Sequence, residues 1–276
     1  MGRRKPRALP EDLGLPSGGA DSHAHLNMGT LGQELNNVLK RARECGISTL
    51  INVFMGTEIY LKQRDLFHEH NHVFFILGVH PHEAGGFTSD TAEGIHSAAQ
   101  NDVKIKGIGE TGLDFYYKHS TPQDQKSAFK SQLQIAKELD LPVVIHSRDA
   151  FVETFEILGQ MGFKDRPLLW HCFGQGKDQA EKILSMGWNI SIPGSVTFKK
   201  NHELHSAVQV IPAEKMLIET DCPFLAPEPY RGKENQPALL GFTAQKIAQL
   251  KDMDINELWV KCGQNCRNFF SIHEQL

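Results

Sequence analysis

The sequence predicts a single (β/α)8 barrel. Eight short β-branched or apolar runs alternate with longer segments of helical periodicity, which is typical of parallel strands joined by crossover helices. The composition stays uniform along these units, and eight of them favour a closed TIM barrel over an open doubly wound sheet, which usually has fewer strands. We therefore predict one α/β domain over residues 20–276, preceded by a flexible leader over residues 1–19.

The predicted strands are the apolar runs themselves, and each has a length suited to a buried parallel strand. They cover residues 19–26, 49–55, 73–79, 104–109, 142–146, 167–171, 189–193 and 215–220. The sequence shows no internal repeat beyond this alternation of strand and helix.

The segments between the strands carry helix signals. Thr121 is placed as an N-cap immediately before Pro122, and the helix that begins there keeps apolar residues on one face until Pro142 approaches. A second amphipathic helix is predicted over residues 31–45, with Gly46 as its stop. Both apolar stripes are interpreted as core packing.

Two further helices are predicted after the eighth strand, over residues 238–250 and 255–270. A Pro-rich loop over residues 223–237 precedes them. This loop is long enough to shape a site at the strand ends.

The composition limits the classes of function. A formal net charge of −4 argues against a protein that wraps DNA with a broadly basic surface, but not against an enzyme that grips a few phosphates. The five cysteines form no CxxC pair, which favours a reducing cytoplasm. No apolar run approaches the ~18 residues of a membrane span, so we expect no membrane association. Nothing in the sequence indicates an obligate protein partner.

Potential metal ligands stand at the ends of six predicted strands. In chain order they are His23 and His25, His80 and His82, Glu110, His146, His171, and Asp221. Strand alternation puts residues two apart on the same face, so His23 and His25 are expected to share one ion. Active sites of barrels are built at this end of the strands.

Each signal has a simpler interpretation when taken alone. Two histidines two residues apart occur by chance, and a single histidine at a strand end is more often part of the core. The prediction depends on their coincidence at one end of the barrel. A second string, His68, His70 and His72, precedes the third strand at the opposite end and is interpreted as a solvated terminus.

Imidazole and carboxylate ligands suit divalent metals, and a carboxylate such as Glu110 can bridge two cations. Two ions ~3.5–4 Å apart polarise a phosphoryl oxygen and lower the pKa of a bound water. Phosphate ester hydrolysis needs both effects. The sequence therefore predicts an enzyme with two divalent ions, with Zn²⁺, Mn²⁺ and Mg²⁺ as candidates.

These motifs resemble those of the TatD-type metal-dependent deoxyribonucleases, relatives of the binuclear amidohydrolases. The stretches that carry the resemblance are 21–26 (DSHAHL), 78–82 (GVHPH), 107–114 (GIGETGLD), 144–148 (VIHSR), 171–173 (HCF) and 219–225 (ETDCPFL). They run in family order along nearly the whole chain.

The resemblance implies a role for each matching residue. His23, His25 and Asp221 correspond to ligands of one ion, His146 and His171 to ligands of the other, and Glu110 to the bridge between them. Glu110 and Asp221 are thereby implied to be catalytic, Asp221 as the base that orients or deprotonates the attacking water.

Two further residues are implied to contact the substrate. His80 resembles the family histidine near the substrate phosphate, where it would act in catalysis as well as in binding. Arg148 is predicted to clamp the phosphate because a planar guanidinium suits two oxygens.

The resemblance implies a deoxyribonuclease that hydrolyses phosphodiester bonds in single-stranded DNA or at strand ends, with a 3′–5′ exonuclease as the finer expectation. Two alternatives stay open. A binuclear hydrolase could instead cleave an amide, lactone or aminoacyl ester, although the fourth strand carries Glu110 where a carbamylated lysine would be needed. The second alternative is a non-catalytic binding protein that is stabilised by metal. The predicted ligands argue against it, because closed structural zinc sites usually contain cysteine.

Overall fold

In the computed structural model, which describes residues 7–273, eight parallel strands form one sheet in the order of the chain. The strands are β1 (Gly19–Ala24), β2 (Ile47–Met55), β3 (Val73–Gly78), β4 (Ile105–Asp114), β5 (Val143–Arg148), β6 (Leu168–Trp170), β7 (Asn189–Ile192) and β8 (Met216–Ile218). The predicted (β/α)8 barrel is confirmed.

Helices follow the strands and cover the outside of the sheet. They are α1 (Gly29–Gln33), α2 (Leu35–Glu44), α3 (Thr57–Gln63), α4 (Ser89–Asn101), α5 (Pro122–Glu138), α6 (Phe151–Gln160), α7 (Lys177–Ser185), α8 (His202–Val210), α9 (Leu240–Lys251) and α10 (Ile255–Phe269). None of the helices within residues 7–273 combines the length and the apolarity needed to cross a bilayer.

The N-cap prediction for α5 is confirmed, since the Thr121 side chain accepts a hydrogen bond from the backbone N–H of Asp124. The single helix predicted over residues 31–45 is instead two helices, α1 and α2, separated at Glu34. The Glu34 carboxylate accepts a hydrogen bond from Asn37 Nδ2 at 2.7 Å. The apolar periodicity runs across the break and therefore did not reveal it.

The segment before β1 packs against the barrel, and the division into a leader over residues 1–19 and a domain over residues 20–276 stays a prediction. Pro10–Leu13 forms a short 3-10 helix, and the Glu11 carboxylate lies 2.6 Å from Arg41 Nε. Trp259 Nε1 donates a hydrogen bond to the Pro16 carbonyl at 2.9 Å. These contacts order the segment, although residues 1–6 lie outside the described part of the chain.

The barrel interior is filled by one face of the strands. Val144 of β5 and Leu169 of β6 belong to this buried apolar cluster, and Phe270 closes it near the end of α10. Side chains two residues apart share a strand face. His146 and His171 therefore continue the interior face upward to the carboxyl ends of the strands, which we call the mouth.

The ring of strands closes between β8 and β1, and we call this junction the seam. There the backbone N–H of Asp221 donates to the His23 carbonyl at 2.9 Å, and the N–H of His25 donates to the Cys222 carbonyl at 2.8 Å. The buried Asp21 carboxylate accepts from the Thr220 N–H at 2.9 Å. The seam thus places both chain segments side by side at the mouth.

Candidate metal centre

Glu110 occupies the middle of the polar cluster at the mouth. Its Oε1 atom lies 2.7 Å from His146 Nδ1 and 3.1 Å from His171 Nε2. Its Oε2 atom lies 3.3 Å from His23 Nε2. The two oxygens of one carboxylate therefore face two different sets of imidazoles.

Backbone conformation brings β4 close enough for this arrangement. Gly112 has a φ of +145°, which side chains disfavour, and a Cβ at this position would lie 2.0 Å from the His146 carbonyl oxygen. Glycine here lets β4 run close beside β5 as far as Asp114. Glu110 and His146 consequently meet across the strand pair.

His23, His25 and Asp221 form a second part of the cluster, across the seam. Asp221 Oδ1 lies 3.3 Å from His25 Nε2 and 3.8 Å from His23 Nε2. Asp221 has a φ of +53°, a left-handed conformation that is uncommon for residues other than glycine and that concentrates at functional sites.

His80 also enters the cluster. Its Nε2 atom lies 3.5 Å from Glu110 Oε1, and its ring centroid is 4.5 Å from that of His146. Its Nδ1 atom accepts a hydrogen bond from the backbone N–H of His82 at 3.2 Å. Burial lowers the pKa of His80 to about 3. The ring is therefore neutral near pH 7 and carries its proton on Nε2.

The cluster holds its carboxylates ionised. Burial opposes ionisation of Glu110, but His171, His80 and His146 outweigh it and set the pKa of Glu110 well below its usual value. Burial likewise opposes the charge on Asp221, and the hydrogen bond from His25 helps to lower its pKa. Both groups are therefore anionic donors at neutral pH.

Two carboxylates orient the imidazoles from behind, and the sequence alone assigned neither of them a role at the metal centre. Glu219 Oε1 lies 3.1 Å from His171 Nδ1 and also accepts from the backbone N–H of Cys172 at 2.7 Å. Against the effect of burial, Glu219 and Glu110 raise the pKa of His171 well above its usual value. The sequence did hold a signal, because Glu219 precedes Asp221 by two residues.

Asp114 is the other orienting carboxylate. Its Oδ2 atom lies 3.2 Å from His146 Nε2 and 3.0 Å from His82 Nε2. His146 thus points Nδ1 at Glu110 and Nε2 at Asp114. Carboxylates behind ligating histidines are typical of metal sites, where they fix ring orientation.

Arg148 lies apart from this cluster, exposed at the end of β5. Its guanidinium carbon is 4.1 Å from the ring centroid of Tyr116 and 4.7 Å from that of Tyr117. The structure therefore places Arg148 on an aromatic rim, and its role as a phosphate clamp stays a prediction.

The donor set fits divalent cations. Three overlapping groups have ligand atoms within 4.8 Å of one another, and they are His23, His25 and Asp221; His23, Glu110 and His171; and His80, Glu110 and His146. Neither ring nitrogen of the buried His23 makes a well-aligned hydrogen bond among the described residues, although Nε2 lies 3.3 Å from Glu110 Oε2. A cation would satisfy a nitrogen that is otherwise costly to bury.

Comparison with known proteins agrees with this chemistry. Residues 20–271 match the model of the family described as TatD related DNase. The chain is 36% identical over 255 residues to YcfH of Escherichia coli, named an uncharacterized metal-dependent hydrolase, covering 91% of this chain and 95% of that protein.

A second relative carries a more specific name. The chain is 33% identical over 260 residues to the 3'-5' ssDNA/RNA exonuclease TatD of Erwinia amylovora, covering 91% of this chain and 99% of the relative. The crystal structure of YjjV, a TatD homologue from Escherichia coli, superposes with a TM-score of 0.86 at 23% identity, over 92% of this chain and 98% of that one. That likeness supports the barrel fold.

Proposed function

The chain belongs to the TatD related DNase family of metal-dependent hydrolases, and from that premise we propose that it hydrolyses phosphodiester bonds at a centre of two divalent cations. One observation carries the proposal. The Glu110 oxygens face separate sets of imidazoles, with His23 beside Oε2 and with His146 and His171 beside Oε1. A carboxylate that bridges two cations must direct its two oxygens at two different sets of ligands, as Glu110 does.

In the proposed centre, Glu110 would be shared by the two ions. His23, His25 and Asp221 would hold one of them, and His146 and His171 would hold the other. Zn²⁺, Mn²⁺ and Mg²⁺ are the candidate metals. When bound, the pair of cations supplies positive charge that polarises the phosphoryl oxygen and stabilises the leaving group.

The surrounding side chains handle the proton and the phosphate. Asp221 is ionised at the mouth and can accept a proton from the attacking water. His80 presents an N–H at Nε2, because its Nδ1 atom already accepts from the His82 backbone. We therefore assign His80 as a hydrogen-bond donor to a phosphate oxygen rather than as a metal ligand.

For the substrate, we propose single-stranded DNA or the ends of DNA strands, digested with 3′–5′ polarity. The name of the Erwinia amylovora relative supports a single-stranded nucleic acid. Glu110 on β4 also favours a phosphate ester over the amides and lactones of the wider superfamily, because no lysine stands there to be carbamylated.

The test is a metal-dependent nuclease assay. Purified protein is incubated with end-labelled single-stranded DNA, duplex DNA and single-stranded RNA, each with Mg²⁺, Mn²⁺ or Zn²⁺ and with or without chelator. We expect chelator-sensitive products that shorten from the 3′ end. Absence of such products with every metal, or far faster turnover of an ester or amide panel, would contradict the proposal.

We also propose a reducing location such as the cytoplasm, and residues 20–276 as the catalytic unit. The five cysteines of the described chain are all free, and four of them are buried. Subcellular fractionation of the tagged chain tests the location. A protein found in an oxidising compartment with its thiols paired would contradict it.

A further inference from the structure

Three exposed aromatic side chains stand at the mouth. Within residues 7–273, the exposed phenylalanine, tyrosine and tryptophan side chains are Tyr116 (56%), Tyr117 (44%) and Phe224 (50%). Tyr116 and Tyr117 follow β4, and Phe224 follows β8. In a ring of eight strands in chain order, β4 and β8 lie on opposite sides.

From this placement we propose that Tyr116 and Tyr117 on one side and Phe224 on the other form two stacking surfaces for nucleobases, so that a single strand crosses the mouth with its phosphate at the metal centre proposed around Glu110. This inference rests on the proposed phosphodiesterase function and names how its substrate is held. Aromatic faces stack on any base, whereas the bases of a duplex are already stacked and paired.

The tyrosine surface is held in place and lies close to the metal centre. Asp114 Oδ1 accepts hydrogen bonds from the backbone N–H groups of Tyr116 at 3.0 Å and of Tyr117 at 2.8 Å. The Tyr117 ring lies 5.5 Å from the ring of His82, which lies 4.2 Å from that of His80. The carboxylate that orients His146 therefore also fixes the turn that presents both tyrosines.

Arg148, Lys118 and the His119 ring border the tyrosine surface. The Arg148 guanidinium carbon lies within 4.7 Å of both ring centroids, and the His119 ring is stacked on Tyr117 with an interplanar angle of 17° and a centroid distance of 5.9 Å. Lys118 is exposed in the same turn. A guanidinium that can stack and also contact phosphate favours a nucleic acid strand over an apolar protein segment.

The phenylalanine surface is fixed on the opposite side. The backbone N–H of Phe224 donates to the Asp221 carbonyl at 2.9 Å, and its carbonyl accepts from the Asn235 side chain at 2.7 Å. The Phe224 ring lies 6.0 Å from the ring of His25. Each stacking surface therefore adjoins a different part of the proposed metal centre.

The first experiment compares two substrates of equal length. One is single-stranded DNA, and the other is a base-free strand made of stable tetrahydrofuran phosphodiesters. For the wild type, we expect a higher KM on the base-free strand with a similar kcat. For Y116A/Y117A and for F224A, the KM on DNA should rise at least about fivefold for each lost stacking contact, whereas the KM on the base-free strand should not change.

Matched variants separate stacking from structure. Tyr116→Phe keeps the ring, so its KM on DNA should rise less than that of Tyr116→Ala. Leu61→Ala removes an apolar side chain that is 62% exposed on α3 and should leave every parameter unchanged. Equal KM values on the two strands for the wild type would overturn the stacking proposal, while chelator-sensitive cleavage of both would keep the proposed function. No cleavage of either strand would instead count against the proposed function.

A spectroscopic measurement tests stacking without turnover. The three tryptophans, Trp170, Trp188 and Trp259, are all buried, so a Tyr116→Trp variant adds one exposed indole. We expect single-stranded DNA to quench this added fluorescence and the base-free strand to leave it unchanged. Equal quenching by both strands, or none by either, would overturn the proposal.

Discussion

Histidines cluster at both ends of the barrel. At the mouth they surround Glu110, whose oxygens lie 2.7 to 3.5 Å from four imidazoles. At the amino end, His70 Nε2 pairs with the amide oxygen of Asn36 at 3.0 Å, and His72 Nδ1 lies 3.4 Å from Arg43. Of His68, His70 and His72, only His68 has a carboxylate partner. That partner is Glu69, at 3.6 Å, and the pair is exposed.

The contrast shows that histidine density alone does not make a metal centre. An imidazole at the mouth faces a buried anion and is oriented by a second carboxylate, as His171 is by Glu110 and Glu219. At the amino end, His70 faces a neutral amide, His72 faces a cation, and the one carboxylate, beside His68, is exposed to solvent. Buried anions among the imidazoles are therefore the distinguishing feature.

The largest effect should follow from removing the shared anion. In Glu110→Gln both proposed ions lose a ligand, so kcat/KM on single-stranded DNA should fall by about 10³-fold or more, with loss of bound metal. Metal analysis of the purified protein and steady-state kinetics measure this. The matched variant at the amino end, His70→Ala, should keep both values. A Glu110→Gln protein with full metal content and full turnover would contradict the idea that the buried anion distinguishes the mouth from the amino end.

A smaller effect should follow from removing an orienting anion. Glu219 is fully buried behind His171, whereas Glu69 pairs with His68 at the surface. Glu219→Gln should reduce metal affinity or kcat/KM by about 10- to 100-fold, because His171 loses its oriented partner. Glu69→Gln should change neither, since exposed ion pairs contribute little. Metal titration of both variants measures the difference. Equal metal affinities for Glu219→Gln and Glu69→Gln would contradict the role of Glu219 in orienting His171.

The smallest effect concerns stability against acid at the amino end. Burial, followed by the nearby Arg43, lowers the pKa of His72 to about 4 from 6.5. Between these pH values the unfolded chain binds a proton that the folded chain does not, so this contribution to stability is lost as the pH falls.

His72→Asn should therefore flatten the decline of Tm between pH 6.5 and pH 4, with a gain of no more than ~3 °C at the acidic end. Calorimetry with chelator present measures the Tm of the metal-free protein. His68→Asn is the control, because that side chain is 73% exposed. Parallel curves for wild type and His72→Asn would show that this half-buried imidazole does not contribute.

Much of the site could be predicted because strand ends are visible in a sequence. Apolar runs end at His146, His171 and the residues before Asp221, and parallel strands bring those ends together. The fold followed from the same runs. Contacts that depend on side-chain reach across neighbouring strands could not be predicted in this way.

Asp114 illustrates the limit. It lies beyond the predicted end of the fourth strand at residue 109, because β4 continues past two glycines with positive φ to Asp114. Periodicity locates apolar segments but carries no information about such a glycine-dependent extension. The packing of Leu13 and Leu15 against Gly241 was missed for a related reason, since it joins segments far apart in the chain.

The seam has a consequence for how the barrel is held together. His23 and His25 follow the first strand, and Asp221 follows the last, so a cation bound by these three residues would act as a cross-link between the two chain segments that close the ring. Binding of that ion would then be thermodynamically coupled to closure of the barrel. Metal depletion should accordingly loosen the β8–β1 junction first, which amide hydrogen exchange at His25 and Asp221 would report.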